Sequence, residues 1–267
     1  MTTLDWNMTH AAIWRPRKQT LRPVKRLDSI RLSDLLGIDR QKQQLVDNTE
    51  RFLSGKPANN VLLWGARGTD KSSLIKALLN AYHGSGLRVI EVDKHDLIDL
   101  PEIVDEIRER PQHFIVYCDD LSFESGDGSY TALKSVLEGS IELPPDNVLL
   151  YATSNRRHLM PEQMRDNLDT QLVDREVHYS DTVEEKISLS DRFGLWLSFY
   201  PPTTETYLEI VDHYLFDYHG DRDELHRQAL DFSRLRASKS GRTAKQFYNA
   251  FSGVIGQSFA SFVDDRD

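Results

Sequence analysis

Apolar residues along the chain form short continuous runs, and stretches with helical periodicity separate them. Three runs are apolar at almost every position, at residues 113–118, 148–153 and 195–199. Continuous apolar runs are typical of strands buried on both faces of a parallel sheet. Two further strands are predicted at residues 61–64 and 87–92, so the pattern indicates five strands.

Helical segments alternate with these strands. A helix is predicted from Asp39, as its N-cap, to Gly55, because apolar side chains recur on one face of this segment. Another helix is predicted at about residues 100–107 and ends before Pro111. Strands that alternate with helices specify an α/β wound sheet, with functional sites at the carboxyl ends of the strands.

Only helices are predicted after Pro201 and Pro202, at residues 204–218, 224–235 and 243–258. They indicate a small all-α second domain. A polar stretch at residues 161–189 precedes the last strand and is either a loop with a short helix or a plain solvated insertion. The predicted organisation is a basic N-terminal arm (1–30), an α/β domain (31–200) and a helical domain (201–267).

The composition is that of a globular protein with enough chain for a sizeable core. Of the 267 residues, 39% are hydrophobic and 28% are charged. No apolar run approaches the roughly 20 residues of a membrane span, and the N-terminus lacks a signal-peptide layout. The single cysteine, Cys118, excludes an internal disulfide. We therefore expect a cytoplasmic protein with no membrane partner.

Positive charge is concentrated in one segment, although the net charge of the chain is −9. Between Arg15 and Arg26 the chain carries six Lys or Arg residues and no acid. Two prolines in this segment predict an extended arm, which could lie on nucleic-acid phosphates or on an acidic neighbour. The alternative is a solvated basic linker.

A strand, a glycine-containing loop and a helix follow one another at residues 61–80. The loop resembles the phosphate-binding pattern G-x-x-x-x-G-K-[ST], in which backbone N–H groups, a lysine and a hydroxyl hold phosphates and magnesium. Gly65, Lys71 and Ser72 fit this pattern, but Asp70 replaces its second glycine. The alternative is an ordinary strand-turn-helix corner.

Asp70 puts a carboxylate where the pattern needs close approach to anionic oxygens. A charge about 4 Å from a phosphate charge costs roughly 4 kcal/mol at an effective dielectric near 20, and about 1 kcal/mol in water. The side chain could also turn outward or pair with Lys71. This substitution therefore bears directly on nucleotide affinity.

Polar residues end two of the apolar strands. Asp119 and Asp120 close the third strand, where adjacent acids suit a magnesium ligand and a group that polarises the attacking water. Asn155 follows the fourth strand and could hold that water. The alternatives are a surface pair of acids and a simple turn.

Two arginines are candidates for stabilising charge on phosphates. Arg192 precedes the fifth strand and could reach the nucleotide of a neighbouring subunit, or else pair with an acid such as Asp191. Arg242 opens a helix of the second domain and could close on phosphates, or else lie at a solvated helix start.

Together these segments resemble the AAA+ ATPases over almost the full length of the chain. The strings at residues 62–69, 118–124, 152–159 and 188–196 are similar to an uncharacterised bacterial family of AAA+ type P-loop ATPases. The resemblance implies a five-stranded parallel sheet in the order 5-1-4-3-2, a helical lid, and ATP bound between them, usually at the subunit interfaces of a ring.

The resemblance also implies roles for particular residues. Lys71 and Ser72 are the P-loop pair, Asp119 the magnesium ligand beside Ser72, and Asp120 the second acid. Asn155, Arg192 and Arg242 match sensor 1, the arginine finger and sensor 2, and Ile38 belongs to the adenine-side segment. The expected nucleotide contacts in the loop are Gly65, Ala66, Arg67, Gly68, Thr69, Asp70, Lys71, Ser72 and Ser73.

Three hypotheses of function follow. The first is ATP hydrolysis with Mg²⁺, coupled to conformational switching of a protein client in a homo-oligomer. The second is a degenerate, non-hydrolysing scaffold, because Asp70 replaces the loop glycine. The third is a nucleic-acid-associated ATPase that uses the basic segment from Arg15 to Arg26.

Overall fold

The computed structural model of the chain describes residues 4–122, 132–134, 136–137, 143–155 and 192–251, and the backbone of residues 171–173 and 176–178. These residues form an α/β domain followed by a helical domain. The predicted end of the last helix, Ser258, lies outside the described residues, as does most of the polar stretch at 161–189.

A mostly parallel sheet of seven strands organises the first domain, in the order β2-β1-β4-β5-β6-β3-β9. A separate antiparallel pair, β7 with β8, occupies the described part of the polar stretch, where either a loop with a short helix or a plain solvated insertion was expected. The strands are β1 (Ala11–Arg15), β2 (Thr20–Pro23), β3 (Val61–Gly65), β4 (Leu87–Glu91), β5 (His113–Cys118), β6 (Val148–Ser154), β7 (Gln171–Val173), β8 (Glu176–His178) and β9 (Leu195–Phe199).

The five predicted strands are β3, β4, β5, β6 and β9, and all their pairings are parallel. Numbered one to five along the chain, they lie in the order 5-1-4-3-2. The α/β class and this order are therefore confirmed. The number of strands is not, since the sheet has seven strands rather than five.

The additional strands come from the segment that was predicted to be an extended arm, and that prediction is wrong for residues 11–23. β1 pairs parallel with β4, and β2 returns antiparallel to β1 as the edge of the sheet. Trp14 and Leu21 are buried in the core. The prolines do not prevent this, because Pro16 lies in the turn and Pro23 ends the edge strand.

Helices cover both faces of the sheet, as predicted. One face packs against α1 (Asp39–Leu53) and α2 (Lys71–Tyr82), and the other against α3 (Leu100–Ile107). Asp39 is the first residue of α1 rather than its N-cap, which is Ile38. Cys118 ends β5 and is fully buried, and burial raises the pKa of its thiol.

In the described residues of the second domain, three helices pack around their own apolar core. They are α4 (Thr204–Tyr214), α5 (Arg222–Leu235) and α6 (Gly241–Phe251). Thr203 caps α4 and Asp221 caps α5 by accepting hydrogen bonds from backbone N–H groups. In the part of the chain that the structure describes, no helix is long and apolar enough to cross a membrane.

Candidate functional site

The loop between β3 and α2 is fixed by a close approach to the neighbouring strand. Gly65 has φ of +135°, and a Cβ built there would lie 1.9 Å from the carbonyl oxygen of Phe199 in β9. The next residue, Ala66, donates its N–H to this same carbonyl at 3.2 Å. Only glycine fits here, so the loop leaves the sheet at a fixed position and leads to the N-terminus of α2.

Lys71 is the first residue of α2 and is only 6% exposed. Its ammonium donates to the carbonyls of Gly65 at 2.8 Å and Ala66 at 2.6 Å, and lies 3.4 Å from Asn155 Oδ1. The loop thus folds around the lysine, and Asp70 is not its acceptor. Burial lowers the pKa of Lys71, partly offset by the nearby carboxylates at the end of β5.

One carboxylate oxygen of Asp119 accepts hydrogen bonds from three hydroxyl groups. Its Oδ1 accepts from Ser72 and Tyr117, each at 2.8 Å, and from Thr153. Burial alone would raise the pKa of Asp119, but these hydrogen bonds outweigh it and hold the pKa below its usual value. The carboxylate is therefore ionised and held in a fixed orientation beside the first turn of α2.

Asn155 connects the loop to the second acid. Its Nδ2 donates to Asp120 Oδ1 at 2.6 Å, while its Oδ1 faces the Lys71 ammonium. Asp120 has a left-handed backbone, with φ of +53°, and its N–H donates to Thr153 Oγ1 at 3.0 Å. One amide thus fixes the distance between the lysine and the second carboxylate.

Asp70 adopts the conformation expected of the glycine it replaces. Its φ is +62° and its ψ is +19°, a left-handed conformation that Asp tolerates better than most side chains. Its carboxylate does not cap α2 but lies against Gly241, the first residue of α6. Burial raises the pKa of Asp70, opposed by a hydrogen bond from Ser73 and by the charge of Arg242.

These groups surround one cavity of about 520 Å³ between the sheet and the second domain. We call the second domain, with helices α4 to α6, the lid, and we call this cavity the loop–lid cavity. The residues around it come from the loop, from the ends of β5 and β6, and from α4 and α6. The lining includes Arg67, Gly68, Thr69, Asp70, Lys71, Ser72, Ser73, Asp119, Asp120, Asn155 and Arg242. Gly65 and Ala66 lie beneath the loop as acceptors for Lys71.

Two predicted residues lie elsewhere. Ile38 is buried in the core that α1 and α2 share with the sheet, so it does not line the cavity as the adenine-side expectation required. Arg192 lies three residues before Leu195, the first residue of β9. Because β9 runs parallel to β3, Arg192 is at the amino edge of the sheet, opposite the site at the carboxyl ends.

Several residues of the cavity carry no signal that sequence reasoning used. Asp28 and Ile30 come from the segment before α1, Tyr214 from the end of α4, and Lys245 from the turn after Arg242. Lys245 is three residues from Arg242 and therefore on the same helix face, which is a usable signal. Asp28 and Tyr214 are brought in only by the packing of distant segments. The remaining lining residues outside the prediction are Lys76, Thr153 and Gly241.

The protein oxygens at the site could hold a magnesium ion only together with phosphate oxygens. Among the described residues no group of three His, Cys, Asp or Glu side chains could hold a metal. Ser72 Oγ and Asp119 Oδ1 lie 2.8 Å apart, so the two predicted ligands are adjacent. Mg²⁺ commonly takes one or two protein oxygens and completes its shell with phosphate and water. The site matches that arrangement.

The strand order, the loop that folds around a lysine, the acids at the end of β5 and the helical lid define a protein of the AAA+ class of P-loop proteins. Within this class, the chain belongs to the family described as "Protein of unknown function (DUF815)", which matches residues 7–255. No curated protein matches the sequence.

Solved structures similar to the chain include RuvB of Thermotoga maritima, described as a Holliday junction branch migration motor. It is 14% identical, with a TM-score of 0.45, and the match covers 83% of this chain and 72% of that one. A threonine-to-valine variant of it is also 14% identical, with a TM-score of 0.47 and the same coverage. A lysine-to-arginine variant is 12% identical, with a TM-score of 0.46 and the same coverage.

Proposed function

We propose that the chain binds ATP with Mg²⁺ in the loop–lid cavity and couples hydrolysis to a conformational switch in a protein partner. One observation carries this proposal. Lys71 and Ser72 are far in sequence from Asp119, Asn155 and Arg242, yet all five line one cavity between the sheet and the lid. This combination of two cationic groups, one hydroxyl, one carboxylate and one amide beside a helix N-terminus suits a magnesium nucleotide.

Each group has a role in this proposal. Lys71 leaves the loop carbonyls to contact the outer phosphates, and Arg242 approaches these phosphates from the lid. Ser72 and Asp119 would hold Mg²⁺, which would neutralise the charge that develops on the transferred phosphoryl group. The Tyr117 and Thr153 hydroxyls keep the Asp119 carboxylate in place.

Asp120 orients and polarises the attacking water, and Asn155 holds Asp120 through the 2.6 Å hydrogen bond. We infer that the nucleotide base contacts Asp28, Ile30 and Tyr214, which also line the cavity. A tyrosine ring and a carboxylate offer a stacking surface and an acceptor for an exocyclic amine.

A non-hydrolysing scaffold is the second candidate, and Asp70 is the observation that favours it. Its carboxylate adds a negative charge to a loop that would hold phosphates. In this alternative the cavity binds nucleotide weakly or not at all, and the protein acts through its surface alone.

Calorimetry of ATP binding in the presence of Mg²⁺, together with phosphate release, distinguishes the two candidates. We expect Lys71→Ala to weaken ATP binding by about a hundredfold or more, since a charge pair near 4 Å contributes up to about 4 kcal/mol at an effective dielectric of 20. Asp120→Asn should retain binding and lose turnover. Lys56→Ala, which removes an exposed lysine remote from the cavity, is the matched control.

Each outcome assigns the protein to one candidate. Binding and turnover that depend on Lys71 and Asp120 support the switch. Binding without turnover in the natural sequence supports the scaffold. Affinity that is equal in Lys71→Ala and in Lys56→Ala contradicts nucleotide binding at this cavity.

Partners are also part of the proposal. Arg192 would act on the nucleotide of a neighbouring copy, which requires a homo-oligomer. The hairpin of β1 and β2 keeps Arg15, Arg17, Lys18 and Arg22 exposed, so nucleic-acid phosphates are a candidate ligand for this surface. The protein client is not identified by any of these features.

A further inference from the structure

The phosphate-binding loop touches the lid directly at two points. A Cβ built on Gly241 would lie 2.1 Å from Asp70 Oδ2, so this carboxylate rests on the α-carbon of the first residue of α6. A Cβ built on Gly68 would lie 2.9 Å from the hydroxyl of Ser240. Ser240 is the residue whose hydroxyl accepts from the Thr243 N–H in the first turn of α6. The loop and the start of α6 are therefore closed against each other.

The Asp70 carboxylate contacts both its own helix and the lid: its Oδ1 accepts from Ser73 Oγ at 3.3 Å, and its Oδ2 lies against Gly241 of α6. An Asp at the N-cap usually accepts from backbone N–H groups of the helix it begins, and Asp70 makes no such bond in α2. It lies instead at the N-terminus of α6, where the helix dipole favours an anion. Arg242 and Lys245 act on this carboxylate electrostatically as well.

The surroundings of Asp70 are the ones that a nucleotide phosphate needs. Arg242, Lys245 and the first turn of α6 line the loop–lid cavity, as does Asp70 itself. A carboxylate and a phosphate oxygen compete for such cations, because both are anions that accept hydrogen bonds.

We propose that Asp70 is a resident anion that holds the lid on the phosphate-binding loop in the nucleotide-free protein, and that a triphosphate must displace it. We call the contact of the Asp70 carboxylate with the start of α6 the latch, and this contact does not depend on the proposed function. The competition with phosphate rests on the proposed function. Asp70 therefore regulates the site: it weakens nucleotide binding and makes lid movement conditional on the phosphate chain.

Hydrogen exchange of the amides in α6 tests the latch in the nucleotide-free protein. We expect Asp70→Asn to speed exchange of α6 amides by about tenfold, since the charge is lost while the shape is kept. Amides of α1 serve as the internal reference for global unfolding. Asp105→Asn removes an exposed carboxylate on α3, on the opposite face of the sheet, and is the matched control.

A second variant tests the contact by shape rather than charge. Gly241→Ala places a methyl group where the Asp70 carboxylate lies, so it should also speed exchange of α6. In an Asp70→Gly background this methyl group meets no carboxylate, and the effect of Gly241→Ala should disappear. Non-additivity in this double-mutant cycle supports the contact.

The outcomes separate the latch from the nucleotide hypothesis. Faster exchange of α6 in Asp70→Asn and in Gly241→Ala supports the latch, whether or not ATP binds. Exchange equal to that of the natural sequence in both variants overturns it. Affinity for ATP about tenfold tighter in Asp70→Asn supports the competition, and equal or weaker affinity in a variant with a released lid overturns it.

Discussion

At Gly65 the loop leaves no room for a side chain beside strand β9. Gly65→Ala would force a methyl group to within 1.9 Å of the Phe199 carbonyl oxygen, at a backbone φ that side chains rarely adopt. We expect a loss of about 2–4 kcal/mol in the free energy of unfolding, because backbone atoms must move to admit the methyl group. Urea unfolding measures this loss.

Gly84→Ala is the control for this substitution. A Cβ at Gly84 would meet nothing within 4 Å, so the change in stability should stay within about 0.5 kcal/mol. Equal stability of the two variants would contradict the close approach at Gly65.

At the scale of single residues, the sequence predicts the groups whose spacing is local. Lys71 and Ser72 follow the loop glycine at a fixed distance, and Asp119 and Asp120 end an apolar run. Thr153 escapes prediction because a hydroxyl at a strand end has many ordinary uses. The contact of Asp70 with the lid joins residues far apart in sequence, so no local pattern encodes it.

The β1–β2 hairpin is part of the folded sheet. Trp14 is 5% exposed and donates its indole N–H to Asp99 at 2.9 Å. We expect Trp14→Ala to reduce the free energy of unfolding by about 3–5 kcal/mol, as large-to-small changes in a core do. Urea unfolding with Arg17→Gln as the control checks this, since Arg17 is exposed.

If Trp14→Ala were as stable as the natural sequence, the segment would be a loose arm and not part of the folded sheet.

The hairpin also determines how nucleic-acid binding should be tested. Deleting residues 1–23 would remove two strands, so a loss of binding would have two explanations. The combined substitution Arg17→Gln, Lys18→Gln and Arg22→Gln removes charge and leaves the pairing of β1 and β2 in place.

At the scale of elements, buried parallel strands are predictable because both of their faces are apolar. The strands β5, β6 and β9 begin and end within a residue of the predicted bounds. The hairpin was missed because its strands are only five and four residues long, each contains an arginine, and a proline follows β1 and ends β2. Two of its apolar side chains, Trp14 and Leu21, are buried only because β1 pairs with β4 and β2 pairs with β1.

At the scale of the whole molecule, the role proposed for Arg192 requires a second copy of the chain. Arg192 and Lys71 lie at opposite edges of one sheet, so a single chain does not bring them to one nucleotide. Under the proposed ATPase activity, Lys71→Ala and Arg192→Ala should each be inactive. Mixing them should restore about a quarter of the natural turnover, because that fraction of random interfaces contains both intact residues.

Mixing Lys71→Ala with the double variant Lys71→Ala, Arg192→Ala is the control and should stay inactive. If the first mixture also remains inactive under conditions in which the chains exchange, Arg192 does not act between copies. Turnover in Arg192→Ala alone at the natural rate would have the same meaning.

The end of β5 places the only thiol of the chain in the interior. Cys118 is 0% exposed, and burial raises the pKa of its thiol, so little of it is present as the nucleophilic thiolate. An alkylating reagent therefore modifies the natural chain only when the central strands separate. The rate of that labelling reports opening of the sheet, and fluorescent probes on introduced surface cysteines can follow the lid without background from the natural sequence.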